Sequence, residues 1–434
     1  MRKIVLFVMC LLLVSCNSIN KKENEAVSNL IERNIYWGYS DGVLYISSTE
    51  IDKTSDAFSC DFMPKSEKEV PWNSIIEETK KIEIVSSNIQ ISPKSTAYWF
   101  ANTSKINELI GLENIDTSNV IDMQGMFKNT ILDSLDLSSF DTSNVTNMSK
   151  MFKDSELSVL NIKSFNTGKV TDFSMMFEGC IKLQNLDISS FNTSSARDMS
   201  YMFEELWSIQ ELDVSNFNTS QVTNMSYMFS SNNFGSIDVS SFETSKVINM
   251  EGMFCNGNYS YLDLSNFNTS KVENMSFMFS NNLNLTNINL SSFETANVKQ
   301  MDSMFAFCEN LSDLDLSNFD TSNVCTFKSM FLRCNKIRYL DLSNFNTVNC
   351  SDMEGMFHSC TSLEHIDIDS FNTSSVKNMN HMFGNANDYV KKIDISFFDF
   401  SNEEYLMEYM LSFNKSEFDY IFGDETDFAY LIVY

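Results

Sequence analysis

The sequence predicts an α/β repeat protein: a right-handed solenoid of about 11–12 coils behind a small β-containing cap. A parallel β-sheet is expected on one face and short helices on the other. Three observations carry this reading. A Met-x-x-Met-Phe box recurs, with Phe for the first Met twice, and its final Phe falls at 127, 152, 177, 203, 229, 254, 279, 305, 331, 357 and 383. A second box, typified by Leu262-Asp263-Leu264-Ser265-Asn266-Phe267, ends at Phe140, Phe165, Phe191, Phe217, Phe242, Phe267, Phe293, Phe319, Phe345, Phe371 and Phe398. The hydrophobic period also changes within every unit. Leu135-Asp136-Leu137-Ser138 alternates apolar and polar like a half-buried strand, whereas Val145, Met148, Met151 and Phe152 share one helical stripe. Thr142-Ser143-Asn144 offers that helix an N-cap. No unit can bury its own stripe, so neighbours must stack.

The chain opens with an address. Arg2 and Lys3 precede an apolar run over residues 4–14, the pattern of a secretory signal. The run is too short to span a hydrocarbon core of ~30 Å. Leu13-Val14-Ser15-Cys16 resembles the bacterial lipobox, which implies cleavage before Cys16 and a covalent lipid on it. Residues 17–34 read as a polar tether, and no later segment is expected to cross a membrane. The expected organisation is signal peptide 1–15, lipidated tether 16–34, cap 35–105, solenoid 106–398 and C-terminal cap 399–434. The expected location is a bacterial membrane, exported and lipid-anchored, at the cell surface.

Composition narrows the partners. The chain carries 30 basic and 58 acidic side chains, so a net charge of −28 makes nucleic acid an unsuitable partner. Signal cleavage removes two of the basic residues and no acidic one. The 37 Phe and 26 Met, against 12 Gly and 3 Pro, exclude a disordered acidic tail and a linker-dominated chain. The repeat explains the excess, because its two Phe columns and two Met columns hold most of these residues.

The unit over residues 262–279 resembles the BspA-like leucine-rich-repeat surface proteins of bacteria, and the resemblance extends over 37–398. Residues 38–46 (GYSDGVLYI) resemble that family's leading hairpin, and Val70-Pro71-Trp72 and Ala97-Tyr98-Trp99-Phe100 lead into the first coil. The resemblance implies a surface adhesin that binds host or bacterial proteins, and supplies no catalytic residue.

One outward file is acidic: Asp136, Asp187, Asp213, Asp238, Asp263, Asp315, Asp341, Asp367 and Asp394, interrupted by Asn161 and Asn289. Parallel strands lie ~4.8 Å apart. At an effective dielectric near 20, each neighbouring pair costs about 3 kcal/mol before solvent and salt reduce it. Hydrogen bonds to the Ser column (Ser138, Ser189, Ser215, Ser240, Ser265) and hydration are the plain compensation. A face that binds cations or a basic protein is the alternative, with calcium as the hard cation that oxygen ligands suit, although no glycine-marked calcium loop is present. These positions form the candidate binding face.

No other constellation earns a chemical role. Cys180, Cys308, Cys334 and Cys360 each stand three residues after a box Phe; buried thiols are favoured, with a disulfide or a metal as alternatives. The absence of a CxxC pair leaves zinc without spacing support. His358 and Cys360 suggest a nucleophilic pair, but His358 holds a position occupied elsewhere by Lys128, Glu178 and Ser280 and is expected to face solvent. A secreted hydrolase would need its acids among Asp52, Asp56, Glu67, Glu69, Glu77 and Glu78, which show no recognisable arrangement. No catalytic residue, metal or resident cofactor is therefore expected. A structural or self-assembling envelope protein is the alternative to adhesion. The segment 406–411 reads as a degenerate twelfth box.

Overall fold

The computed structural model describes residues 34–52, 55–85 and 89–386, with 395, 398 and 399. The signal and lipobox with Cys16, the acidic position Asp394, the degenerate box at 406–411 and most of the C-terminal cap lie outside the described residues.

The cap and the start of the first coil share a five-stranded mixed sheet. Strands β1 (Asn34–Ser40) and β2 (Val43–Ser47) form the expected hairpin. Its turn is made by Asp41 and Gly42, both with positive φ, which suits the twist of paired strands. Strand β3 (Asp56–Ser59) pairs antiparallel with β1, while β4 (Lys81–Val85) and β5 (Glu108–Ile110) add in parallel beyond β2. Trp37, Phe58, Trp72 and Trp99 pack edge-to-face beneath it, and the indole of Trp72 donates to the Trp99 carbonyl at 2.7 Å. One continuous apolar core runs from Ile35 through the repeats, so cap and solenoid share their interior.

The stacked solenoid is as the repeat requires, but its helical face is absent. The described residues contain only single 3₁₀ turns, all before Val120, and no α-helix. The Met-Phe box is instead a run of tight turns. Met151 N–H bonds Met148 O and Ser155 N–H bonds Phe152 O, both i to i−3. Between them, alternate residues reach into the next coil: Met148, Lys150, Phe152 and Asp154 donate to Asp172, Ser174, Met176 and Glu178. Two residues of each turn, two before and two after the box Phe, sit in the left-handed region, as Lys150 (φ 59) and Asp154 (φ 56) do. An α-helix cannot contain such residues. The spacing that suggested a helix also fits successive three-residue turns. Stacking on a preformed coil satisfies the backbone without the costly nucleus a two-turn helix would need.

The expected continuous sheet is likewise broken. Regular parallel pairing joins β6 (Ser134–Asp136) to β7 (Val159–Asn161), β8 (Tyr261–Asp263) to β9 (Asn287–Asn289), and β10 (Tyr339–Asp341) to β11 (His365–Asp367). These strands are three residues long because the N–H two residues after the closing Asp or Asn turns back onto that side chain, as Ser138 does onto Asp136 and Ser291 onto Asn289. The unbroken parallel column lies before the Met-Phe box, stepping from Ser95 through Asp122 and Asn147 to Asn378.

Core columns follow the sequence closely. From Phe127 to Phe383 each box Phe stacks on the next, with centroids 5.4–6.2 Å apart. A polar column runs alongside. From Phe140 to Phe371 the Thr two residues after each strand Phe is buried, not an N-cap. Thr142 Oγ1 donates to Asn166 O at 3.0 Å and accepts Asn166 N–H at 2.7 Å, so one hydroxyl satisfies both backbone groups of the next coil. The same pair of hydrogen bonds recurs at Thr167, Thr193, Thr219, Thr244, Thr269, Thr295, Thr321 and Thr347.

The cysteine column has a similar task. Cys180, Cys308, Cys334 and Cys360 are buried free thiols, each donating to the box-Phe carbonyl of the preceding coil at 3.0–3.2 Å. Asn232 and Asn282 serve the same carbonyls from the same position, and Tyr259 does so where Gly257 cannot. Burial pushes Cys180, Cys308 and Cys360 up to about 12. Among the described cysteines only Cys325 is exposed. Brief iodoacetamide treatment of the native 34–434 chain, read by peptide mass spectrometry, is expected to label Cys325 alone. Equal labelling of Cys308 or Cys334 would contradict this packing.

The candidate binding face

Alternation in the short strands sets the face. In β10, Leu340 is buried while Tyr339 and Asp341 point out; in β11, Ile366 is buried beneath His365 and Asp367. Of the nine sequence-predicted Asp, eight are described. They occupy equivalent positions on this face, all exposed except the half-buried Asp367.

Each described carboxylate is held from its own coil. Asp136, Asp213, Asp238, Asp263, Asp315 and Asp341 accept the backbone N–H of the Ser two residues on at 2.9–3.1 Å, and Asp187 accepts that of Ser189 at 3.2 Å. Asp367 takes the N–H of Asp369 at 3.3 Å. Hydrogen bonding to the charged form favours it. The Ser groups accordingly hold Asp136, Asp187, Asp213, Asp238, Asp263, Asp315 and Asp341 below the usual carboxylate range.

The two Asn in the file are bridges. Asn161 donates its side-chain amide to Asp136 at 2.9 Å, and Asn289 donates to Asp263 at 3.1 Å. Lys163 pairs with Asp187 at 3.3 Å. The repulsion expected along the file is thus lowered by backbone dipoles and two amides, with one lysine contributing.

Rings on this face were not singled out by the repeat pattern. Tyr339 and His365 stack with centroids 5.3 Å apart, and Tyr339 is 57% exposed. Tyr261 stands 48% exposed in the equivalent place in β8. The signal was legible as rings in a column that otherwise holds Ser134, Val159, Asn185, Glu211, Ser236, Asn287 and Asp313.

The remaining candidates separate. His358 is half-buried rather than solvent-facing, with its ring nitrogen 2.9 Å from Ser359 Oγ, while the Cys360 thiol is committed to the Phe331 carbonyl. In the cap, Glu67 binds Lys128 and Glu78 binds Lys105, both at 2.6 Å, in separate pairs. Among the described residues, no group of three or more His, Cys, Asp and Glu is arranged to hold a metal ion.

A carboxyl on the box face is unusual. Burial, with the charges of Glu178 and Glu205 beside it, raises Glu204 from 4.5 to about 7; Ser230 Oγ donates to it at 3.0 Å and Lys153 opposes the shift. A carboxyl raised in the fold binds its proton more tightly there than in the unfolded chain. Its stabilising contribution is complete below about 4.5 and is lost as pH rises through about 7. Thermal melts of wild type and Glu204→Gln should therefore converge near the acid end of that window and diverge above it, with the variant melting higher. Parallel melting curves across the window would contradict the assignment.

Five overlapping stretches, 94–211, 155–263, 197–313, 256–340 and 307–421, match the family described as "Mycoplasma protein of unknown function, DUF285". The chain belongs to the DUF285 family. The matched stretches begin at the last cap segment and cover the repeats, so family membership attaches to the solenoid. Among solved structures, a leucine-rich repeat protein from Eubacterium ventriosum is similar at 14% identity and a TM-score of 0.36, over 85% of this DUF285 chain and 99% of that one. No curated protein matches the chain.

Proposed function

We propose that this DUF285 chain is an exported lipoprotein, anchored through Cys16, that presents its solenoid for binding a protein partner through the Asp-bearing strand face. The observation that carries the reading is the row of exposed carboxylates, each fixed by its own coil and repeated along a rigid axis. A side chain already ordered loses little freedom on binding, which favours such a row as a recognition surface. A dozen coils at ~4.8 Å span roughly 55 Å, sufficient for a standard protein interface. The Leu13-Val14-Ser15-Cys16 sequence supports the anchor, and a short lipid-bearing tether supports display of an acidic domain away from the membrane.

Protease shaving of intact cells tests display, and capture of surface proteins by the 35–434 domain tests binding. Release of solenoid peptides without lysis, together with saturable capture weakened by Asp→Asn changes on the strand face, is expected. A protease-protected protein whose domain captures no surface protein would overturn the reading. Metabolic labelling with a fatty acid should be lost in Cys16→Ala.

A further inference from the structure

The strand face is not uniform. In three of the six regularly paired repeat strands an exposed ring precedes an Asp by two residues: Tyr261-Leu262-Asp263, Tyr339-Leu340-Asp341 and His365-Ile366-Asp367. In each triplet the middle residue is buried, so ring and carboxylate project on the same side. The pairing of β10 with β11 sets Tyr339 beside His365 and Asp341 beside Asp367. The two rings lie within 10° of parallel. Large exposed rings add little to folding, and rings flanked by ordered carboxylates are the features of an interface centre.

Charge and geometry select the occupant. Arg338, next to Tyr339, is already bridged to Glu364, so the face keeps its carboxylate excess. A guanidinium is planar, stacks on an aromatic ring and donates paired N–H groups to a carboxylate, whereas an ammonium is a compact point charge. Ring and carboxylate lie two residues apart along the strand, roughly 7 Å, within one arginine's reach. The Tyr261 and Tyr339 triplets are three coils apart, about 14 Å, which equals about four residues of extended chain.

We propose that this face binds an extended, arginine-bearing segment of a protein partner laid along the solenoid axis. Tyr261 with Asp263 takes one arginine, the stacked Tyr339–His365 pair with Asp341 and Asp367 takes another, and the two arginines stand four residues apart. The proposal rests on the strand face being the binding face and adds the chemistry and direction of its occupant.

Fluorescence anisotropy with the 35–434 domain provides the test. The probe is a labelled peptide of roughly a dozen residues with Arg at every fourth position and Ser between, matched by a Lys version and by an Arg version at every third position. The Arg-every-fourth peptide should bind tightest, and Tyr339→Ala with His365→Ala should weaken it by about tenfold or more. Tyr261→Ala should weaken it less. Glu273→Gln, a surface change outside the strand-face file, should leave it unchanged, and unchanged unfolding midpoints should show that the variants fold.

Failure of that peptide to bind, or equal binding of all three peptides, would overturn the proposal in favour of no site or a plain ion atmosphere. Full binding by the ring variants would overturn it too. Surface-protein capture that persists in the ring variants but falls in Asp→Asn variants would leave the binding face standing and remove this occupant. Absence of capture by wild type would remove the binding face itself.

Discussion

Phe229→Ala should destabilise the solenoid by about 3–5 kcal/mol, the cost of truncating a buried aromatic where the surroundings cannot collapse. Phe229 is fully buried, with Phe203 stacked at 5.8 Å on one side and Phe254 at 5.9 Å on the other. Each coil is tied to its neighbours by backbone bonds on the box side, so the coils cannot close over the void. Nearest-neighbour coupling in a repeat array makes the lesion local. Urea unfolding followed by far-UV circular dichroism should show the wild-type transition shifted and divided, the coils before and after the lesion having lost their coupling. Phe277→Ala, which truncates a ring 39% exposed, should cost about 1 kcal/mol or less. Equal effects of the two changes would contradict the Phe ladder.

Thr269→Val is the second large effect. The side chains are nearly the same shape, so packing is kept while Glu294 loses the hydroxyl that accepts its N–H and donates to its carbonyl, both at 2.8 Å. A buried donor or acceptor left unmade costs about 1–3 kcal/mol, so the pair should cost about 2–4 kcal/mol. Thr269→Ser retains the hydroxyl and should lose about 1 kcal/mol for its methyl. If Val proved as stable as wild type, the Thr column would be packing and not a hydrogen-bond ladder.

The sequence expressed burial more clearly than backbone conformation. The 25–26-residue period and the columns of Met, Phe and Leu were legible because an apolar side chain facing a stacked neighbour has few substitutes. The Asp-Ser pairing on the strand face was legible for a related reason, since a carboxylate beside like charges needs a donor. The box backbone was not. Val145, Met148, Met151 and Phe152 satisfy a helical wheel, yet Lys150 and Asp154 between them are left-handed. Gly125, Asn129, Gly179, Gly252, Asn256, Asn281 and Gly355 mark those two columns with residues suited to positive φ. Met175, Tyr201, Tyr227 and Phe277 in the same columns conceal that signal.

The Thr column was misread because a Thr before a presumed helix is an ordinary N-cap. Its recurrence in phase with the core was the overlooked sign of burial. The cysteine column was read correctly as packing, while its donor role depended on a carbonyl in the preceding coil that no local pattern reveals. Tyr339 and His365 are 26 positions apart in the chain and become neighbours only through the strand register.

The central structural claim is that the Met-Phe box consists of stacked turns, and Gly252→Ala tests it by the sign of one number. Gly252 has φ 57, and a Cβ there would lie 2.3 Å from the Tyr227 ring. In a helix, replacing a mid-helix Gly by Ala stabilises by about 1 kcal/mol. In the stacked turn the same change should destabilise by roughly 1–3 kcal/mol, because the left-handed backbone disfavours a side chain and the ring must move. A lower urea midpoint for Gly252→Ala is the result this fold predicts; a higher midpoint would return the box to a helix.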